Sequence, residues 1–126
     1  MSHPLLTRLT EDFGWPLLDT PDELAAHLAQ DDLHCLFIPG DPKRNLETAD
    51  AAVILPELRK AFQDRFDCAL VGDTLEAALR EATRVLKTPS FLFYDGDQFL
   101  GGIAKIRDWD DYTTRIPQIL TAKSEV

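Results

Sequence analysis

Only two cysteines occur, Cys35 and Cys68, and they do not form a CxxC pair. Dithiol exchange needs a reactive thiolate with a resolving cysteine close by, so the chain lacks the residues for ordinary disulfide chemistry. Histidine is nearly as scarce. His3, His27 and His34 are scattered, no Cys-His or His-His spacing suggests zinc, and no metal centre is expected. No apolar run approaches the roughly 20 residues that span a bilayer, so no membrane insertion is expected. The first residues, Met1 to Leu6, lack a basic segment followed by a long apolar stretch, and a cytoplasmic location is the expectation. In that compartment both cysteines should be thiols. Basic residues are too few for a nucleic-acid partner: 13 Lys and Arg stand against 22 Asp and Glu, a net charge of -9. There is no Gly-rich phosphate loop, since Gly101-Gly102 is a lone pair at a strand end that marks a bulge or a close approach, and no cofactor is expected.

What is present is an ordinary globular composition, 44% hydrophobic and 28% charged over 126 residues. That length predicts a single α/β domain over 1–126, with 121–126 as a frayed tail. The acidic balance leaves basic peptides or proteins open as partners, although an acidic surface more often serves solubility than recognition.

The stretch Lys87 to Gly102, KTPSFLFYDGDQFLGG, reads as a hairpin entered through a proline. Strands are expected at Ser90–Tyr94 and Gln98–Leu100 around an Asp95-Gly96 turn, because glycine accepts the positive φ of a tight hairpin turn. Pro89 cannot donate to a ladder and belongs at the strand's first position. The cis form costs an X-Pro bond only about 0.5 to 1 kcal/mol, and Thr88-Pro89 is expected to be cis.

Upstream, Leu5, Leu6, Leu9 and Phe13 recur at helical spacing before Gly14, and Trp15 to Leu18 reads as an edge strand. Thr20-Pro21-Asp22-Glu23 combines a Thr cap, Pro at the first helical position and Glu three residues after the cap. That helix should run to about Gln30 with Leu24, Ala25 and Leu28 inward. Leu33 to Ile38 is a continuous apolar run ended by Pro39-Gly40, the pattern of a strand buried on both faces, with Cys68 to Val71 as its parallel neighbour. Between them, residues 39–50 are turn-rich. A helix is expected from about Ala51 to Phe66, with Val53, Ile54, Leu58, Phe62 and Phe66 inward and a kink at Pro56. Asp73 to Glu76 suggests a capping box for a helix with Leu75, Leu79, Ala82 and Leu86 inward. Asp108 to Leu120, with Trp109, Tyr112, Ile116 and Leu120, closes the chain and is distorted near Pro117. Asp108, Asp110 and Asp111 suit the positive end of that helix as well as they suit catalysis. Parallel βαβ units followed by an antiparallel hairpin give a mixed central sheet flanked by helices.

A crossover, a proline-kinked helix, then Thr-Pro entering an antiparallel hairpin and a last helix resemble the thioredoxin fold. In that fold the CxxC opens the kinked helix, its second cysteine five residues before the proline. Counting back from Pro56 places the window at Thr48-Ala49-Asp50-Ala51, without cysteine. Within thioredoxin-like proteins the chain resembles the HupG/HyaE family of NiFe-hydrogenase accessory proteins. The residues that carry this are Asp41-Pro42-Lys43-Arg44, Val53-Ile54 and Glu57-Leu58 with Phe62, Thr88-Pro89-Ser90 leading into Phe91-Leu92-Phe93, and Gly102-Ile103 followed by Trp109. The resemblance implies a non-enzymatic maturation factor that handles the hydrogenase small subunit and binds its twin-arginine signal peptide, with other accessory proteins as further partners.

Cys35 and Cys68 lie in apolar runs and read as small core residues; were the two strands neighbours, the pair could bridge. Asp41-Pro42-Lys43-Arg44 follows the carboxyl end of the central strand, where α/β sheets place ligand crevices, and is either a turn fixed by Pro42 or a binding segment. Thr88 and Pro89 should face the same rim, with unpaired backbone groups for an extended peptide. Ile103, Ala104 and Lys105 should add a third wall, bordered by Glu47 and Asp50, with Thr48 in the vacated redox window. A basic, extended segment suits such a groove. Two other readings stay open: an atypical thiol-disulfide oxidoreductase using Cys35 or Cys68, and a scaffold docking through acidic helices.

Overall fold

A computed structural model describes residues 3–41 and 43–121. The turn attributed to Pro42 and the tail over 122–126 lie outside the described residues. The order of elements is α1 (Pro4–Glu11), β1 (Leu17–Leu18), α2 (Pro21–Leu28), β2 (Leu33–Ile38), α3 (Glu47–Ala61), β3 (Asp67–Val71), α4 (Asp73–Thr83), β4 (Ser90–Asp95), β5 (Gln98–Ala104) and α5 (Trp109–Leu120). This succession of helices and strands is the one expected.

The five strands form one mixed sheet in the order β1-β3-β2-β4-β5. β3 runs parallel to both β1 and β2, while β4 is antiparallel to β2 and to β5. Alternation along each strand divides the interior into two layers. Cys35, Phe37, Cys68, Leu70, Phe91, Phe93 and Ile103 face α1, α3 and α5, where Leu6, Leu9, Leu55, Leu58, Tyr112 and Ile116 meet them. Leu36, Ile38, Ala69, Val71, Leu92 and Tyr94 face α2 and α4, closed by Leu28, Leu75 and Leu79.

The strong local signals fold as read. Thr20 accepts from the Glu23 backbone N–H at 3.1 Å while Glu23 returns a carboxylate oxygen to the Thr20 N–H at 3.1 Å, a complete capping box. The Thr88-Pro89 peptide bond is cis. Gly96 takes φ +58° in the hairpin loop, which sits at Gly96-Asp97 because the strand continues through Asp95. Gly101 and Gly102 lie inside β5 rather than at its end. A Cβ at Gly102 would stand 2.8 Å from Val85 Cγ2 and one at Gly101 3.3 Å from Ile119, so the pair lets flanking segments close on both sides of the strand.

Several expectations about faces and boundaries are corrected. Helix α3 starts at Glu47 and ends at Ala61, not over 51–66. Its buried positions are Thr48, Ala51, Ala52, Leu55, Pro56 and Leu58, a helical stripe that opens on small residues, whereas Val53 is exposed. Phe66 is buried, but beyond the helix. Phe13, Ala25, Ala82, Leu86 and Trp109 are likewise exposed. Phe13 lies past the end of α1, under the Arg8 guanidinium at 5.0 Å, and Leu86 lies beyond α4, where Arg84 turns left-handed at φ 63°. Ala25 and Ala82 have too little side chain for their position to be set by burial. The capping box expected at Asp73 does not form, because Gly72 is the cap residue and Asp73 already lies within the helix.

Candidate functional site

The carboxyl end of β2 runs through Pro39 and Gly40 into a loop stitched by its own side chains. Asp41 Oδ1 accepts from the Lys43 N–H at 3.0 Å, and the Asp41 carbonyl accepts from the N–H groups of Arg44 and Asn45 at 3.1 and 2.9 Å. Asn45 Oδ1 then accepts from the Glu47 N–H at 3.1 Å, satisfying one of the free donors at the start of α3. Gly40 is required here. Its φ is +76°, and a Cβ would stand 2.5 Å from Thr88 Oγ1, so only glycine lets this loop meet the cis-proline loop.

A cleft of about 510 Å³ lies over this junction, lined by Asp41, Arg44, Asn45, Leu46, Glu47, Glu76, Arg80, Thr88 and Lys105. Three carboxylates within it face cations of the same chain. Asp41 lies 3.8 Å from Arg44, Glu76 3.5 Å from Arg80, and Glu47 2.9 Å from Lys105. The hydrogen bond from Lys105, and then that from the Ile106 N–H at 2.8 Å, hold the Glu47 carboxyl below its ordinary range. Arg80 also donates from Nε to the Leu86 carbonyl at 2.7 Å, tying α4 to the segment before the hairpin. Leu46 is 87% exposed in the middle of these charges.

Of the residues expected at the site, Asp41, Arg44, Glu47, Thr88 and Lys105 converge on the cleft. Lys43 and Asp50 are exposed but do not line it. Thr48, Pro89 and Ile103 are buried and offer a ligand no surface. Ile103 sits on the inward face of β5 opposite Phe91; of the expected third wall Lys105 alone lines the cleft, joined by Glu76 and Arg80 of α4. The Thr88 carbonyl was expected to be unpaired; it accepts from Asn45 Nδ2 and, at 3.3 Å, from Lys105 Nζ. Asn45, Leu46, Glu76 and Arg80 were not anticipated. The one available signal was Leu46, an apolar residue stranded in a polar loop.

The redox window is filled by structure. Thr48 is fully buried and donates from Oγ1 to the Pro39 carbonyl at 2.6 Å, and Ala51 is 1% exposed. Cys35 and Cys68 are register partners on β2 and β3, both free thiols and both buried. Burial, followed by a hydrogen bond with Cys68, pushes the Cys35 thiol well above its ordinary value, the opposite of what a nucleophilic cysteine needs.

The histidines are less scattered than the sequence suggests. The rings of His27 and His34 lie 4.8 Å apart, with Asp67 Oδ1 3.2 Å from His27 Nε2 and 2.9 Å from His34 Nδ1.

Fold and cleft together define a thioredoxin-fold protein in which buried Thr48 and Ala51 stand where a dithiol would be. A thioredoxin from Plasmodium falciparum superposes with a TM-score of 0.63 over 82% of this chain and 97% of its own, at 12% identity, a likeness of fold alone. The chain belongs to the HupG/HyaE family of hydrogenase expression/formation proteins, matching the family described as "Hydrogenase-1 expression protein HyaE" over residues 5–112. It is 62% identical over 122 residues to the hydrogenase expression/formation protein HupG of Rhodobacter capsulatus, covering 97% of this chain and 88% of that one. Identity to HoxO of Azotobacter vinelandii, also a hydrogenase expression/formation protein, is 42% over 125 residues, covering 99% and 83% of the two chains. The crystal structure described as that of a HupG from Rhodopseudomonas palustris shares 36% identity and a TM-score of 0.55, covering 88% of this chain and 99% of that one.

Proposed function

We propose that the chain is a non-catalytic, cytoplasmic chaperone of the NiFe-hydrogenase small subunit and that its cleft receives the twin-arginine signal peptide. Family membership supports a role in hydrogenase expression and formation. The observation that carries the finer reading is the pairing inside the cleft, where two of the three lining carboxylates, Asp41 and Glu76, are held by arginines of the chain itself, Arg44 and Arg80. Both pairs are long, and Asp41–Arg44 is largely exposed, the kind that contributes little, so an incoming arginine can replace it at small cost; Glu76–Arg80 is half-buried, and Arg80 keeps its bond to the Leu86 carbonyl when Glu76 turns to the peptide. Leu46 offers an apolar contact to the hydrophobic stretch that follows such a pair.

Titration calorimetry of the full chain with the small-subunit signal peptide tests this. Binding should weaken with salt and with lysine in place of both peptide arginines, because a planar guanidinium engages a carboxylate through two bonds where an ammonium cannot. Replacing Glu47 and Asp50 together by Ala should weaken it too. Absence of binding at any salt concentration removes the peptide reading. One observation favours a second reading, a scaffold that docks without a groove: the Thr88 carbonyl is already taken by Asn45 and Lys105. Binding of the mature subunit without its signal peptide is the result that would support it.

A further inference from the structure

At the opposite end of the parallel strands from the cleft, three side chains converge. His27 lies in the last turn of α2, while His34 and Asp67 are register partners near the starts of β2 and β3. Asp67 Oδ1 is 3.2 Å from His27 Nε2, and both Asp67 oxygens are 2.9 Å from His34 Nδ1. The second ring nitrogen of His34, Nε2, is 3.0 Å from the Gln30 carbonyl. A carbonyl only accepts, so Nε2 carries the ring proton. What joins Nδ1 to a carboxylate that only accepts is then a cation at that nitrogen, either a second ring proton or a metal ion.

We propose that His27 Nε2, His34 Nδ1 and Asp67 form a binding site for one divalent transition-metal ion of the zinc class. The hydrogen bond from His34 to the Gln30 carbonyl is the kind that fixes tautomer and ring orientation in metal-ligating histidines. Two imidazoles and one carboxylate suit zinc and its neighbours, and exclude calcium and magnesium, which take oxygen donors. The ligating atoms lie within 4.8 Å of one another, and a tetrahedral ion with bonds near 2.0 Å separates its ligands by about 3.3 Å, so closure asks for a small inward swing of a ring. His27 is placed for that swing, at the end of a helix. Asp67 is 32% exposed, against 10% for His27 and 0% for His34, so the ion enters on the carboxylate side and keeps a solvent position there. All three residues lie in the matched region, but the site is separate from the cleft, and its test is independent of peptide binding.

The test uses the untagged full chain, stripped with a chelator, with zinc titration by calorimetry and cobalt(II) as a visible probe. The expected result is one zinc per chain and cobalt absorption typical of a tetrahedral nitrogen and oxygen site. His34 is fully buried and its replacement puts folding at risk, so His27→Gln carries the comparison. It should keep the thermal midpoint of the metal-free protein and lower zinc affinity at least about tenfold, as even outer-shell partners of a metal do. Asp67→Asn should lower it as well. No zinc uptake, the result expected if a second proton on His34 is the positive centre, overturns the proposal. Uptake unchanged in His27→Gln overturns it too, as does a thiolate-to-cobalt charge-transfer band, which would place the ion on Cys35 and Cys68.

Discussion

Thr48 donates a hydrogen bond of 2.6 Å to the carbonyl of Pro39, and the threonine is fully buried. The residue in the first position of the redox window is thereby a strut between the start of α3 and the end of β2. Thr48→Val keeps the shape and removes the donor, leaving the Pro39 carbonyl without that partner. Urea denaturation should register a loss of about 1–3 kcal/mol.

The thiols make a qualitative prediction. Cys35 and Cys68 are 0% and 2% exposed, and burial raises the Cys35 thiol. An aromatic disulfide reagent should therefore modify neither in the native state and both after unfolding in guanidinium. Rapid native-state reaction of either would revive a thiol-disulfide activity.

Glu47 sets an acid limb to stability. Its folded-state pKa is lowered, first by the hydrogen bond from Lys105 and then by the Ile106 N–H, so its stabilisation is complete above the unfolded-state value of about 4.3 and disappears as pH falls through the lowered one. Glu47→Gln should be less stable to urea than the unaltered protein at pH 7, by no more than about 1 kcal/mol of unfolding free energy for so exposed a pair. The gap should close as the pH is taken below the carboxylate range. A gap that stays constant down to acid pH would show that the charge on Glu47 contributes nothing.

Leu46 separates folding from recognition. At 87% exposure its replacement by serine should leave the thermal midpoint within the change expected of an ordinary surface substitution. If the cleft takes a peptide with an apolar segment, the same change should weaken peptide binding by about tenfold, the scale of one largely buried leucine contact. Affinity unchanged in Leu46→Ser would place the peptide elsewhere.

The parts of this fold legible in the sequence were those written in adjacent residues. The Thr20 capping box, the bounds of β2 at Leu33 and Ile38, and the turn around Gly96 each depend on a few neighbours in the chain. The inward face of α3 is partly legible: Leu58 is buried and Ile54 and Phe62 pack against the core, as expected, while Val53 is exposed. What the pattern hides is the first turns from Glu47, where Thr48, Ala51 and Ala52 are buried, small residues whose signal is fainter than that of larger apolar side chains. The cleft was half legible: the β2 loop and cis-proline loop could be inferred from thioredoxin-like topology, but Glu76 and Arg80 reach it only through the packing of α4. The His27, His34 and Asp67 cluster joins a helix and two strands. Its signal lay in the pairing of β2 with β3, since a register matching Cys35 to Cys68 also sets His34 against Asp67 one residue earlier.

The order of the strands bears on how the protein behaves at high concentration. The three long buried strands, β3, β2 and β4, are interior to the sheet, and the edges fall to β1 and β5. β1 is two residues long and follows Pro16, which has no N–H to offer, while the ladder of β5 is broken opposite the Phe93/Tyr94 step. Neither edge presents a long regular row of free donors and acceptors, so one copy is a poor template for aggregation of another. Concentrating the protein should therefore not by itself join copies strand to strand.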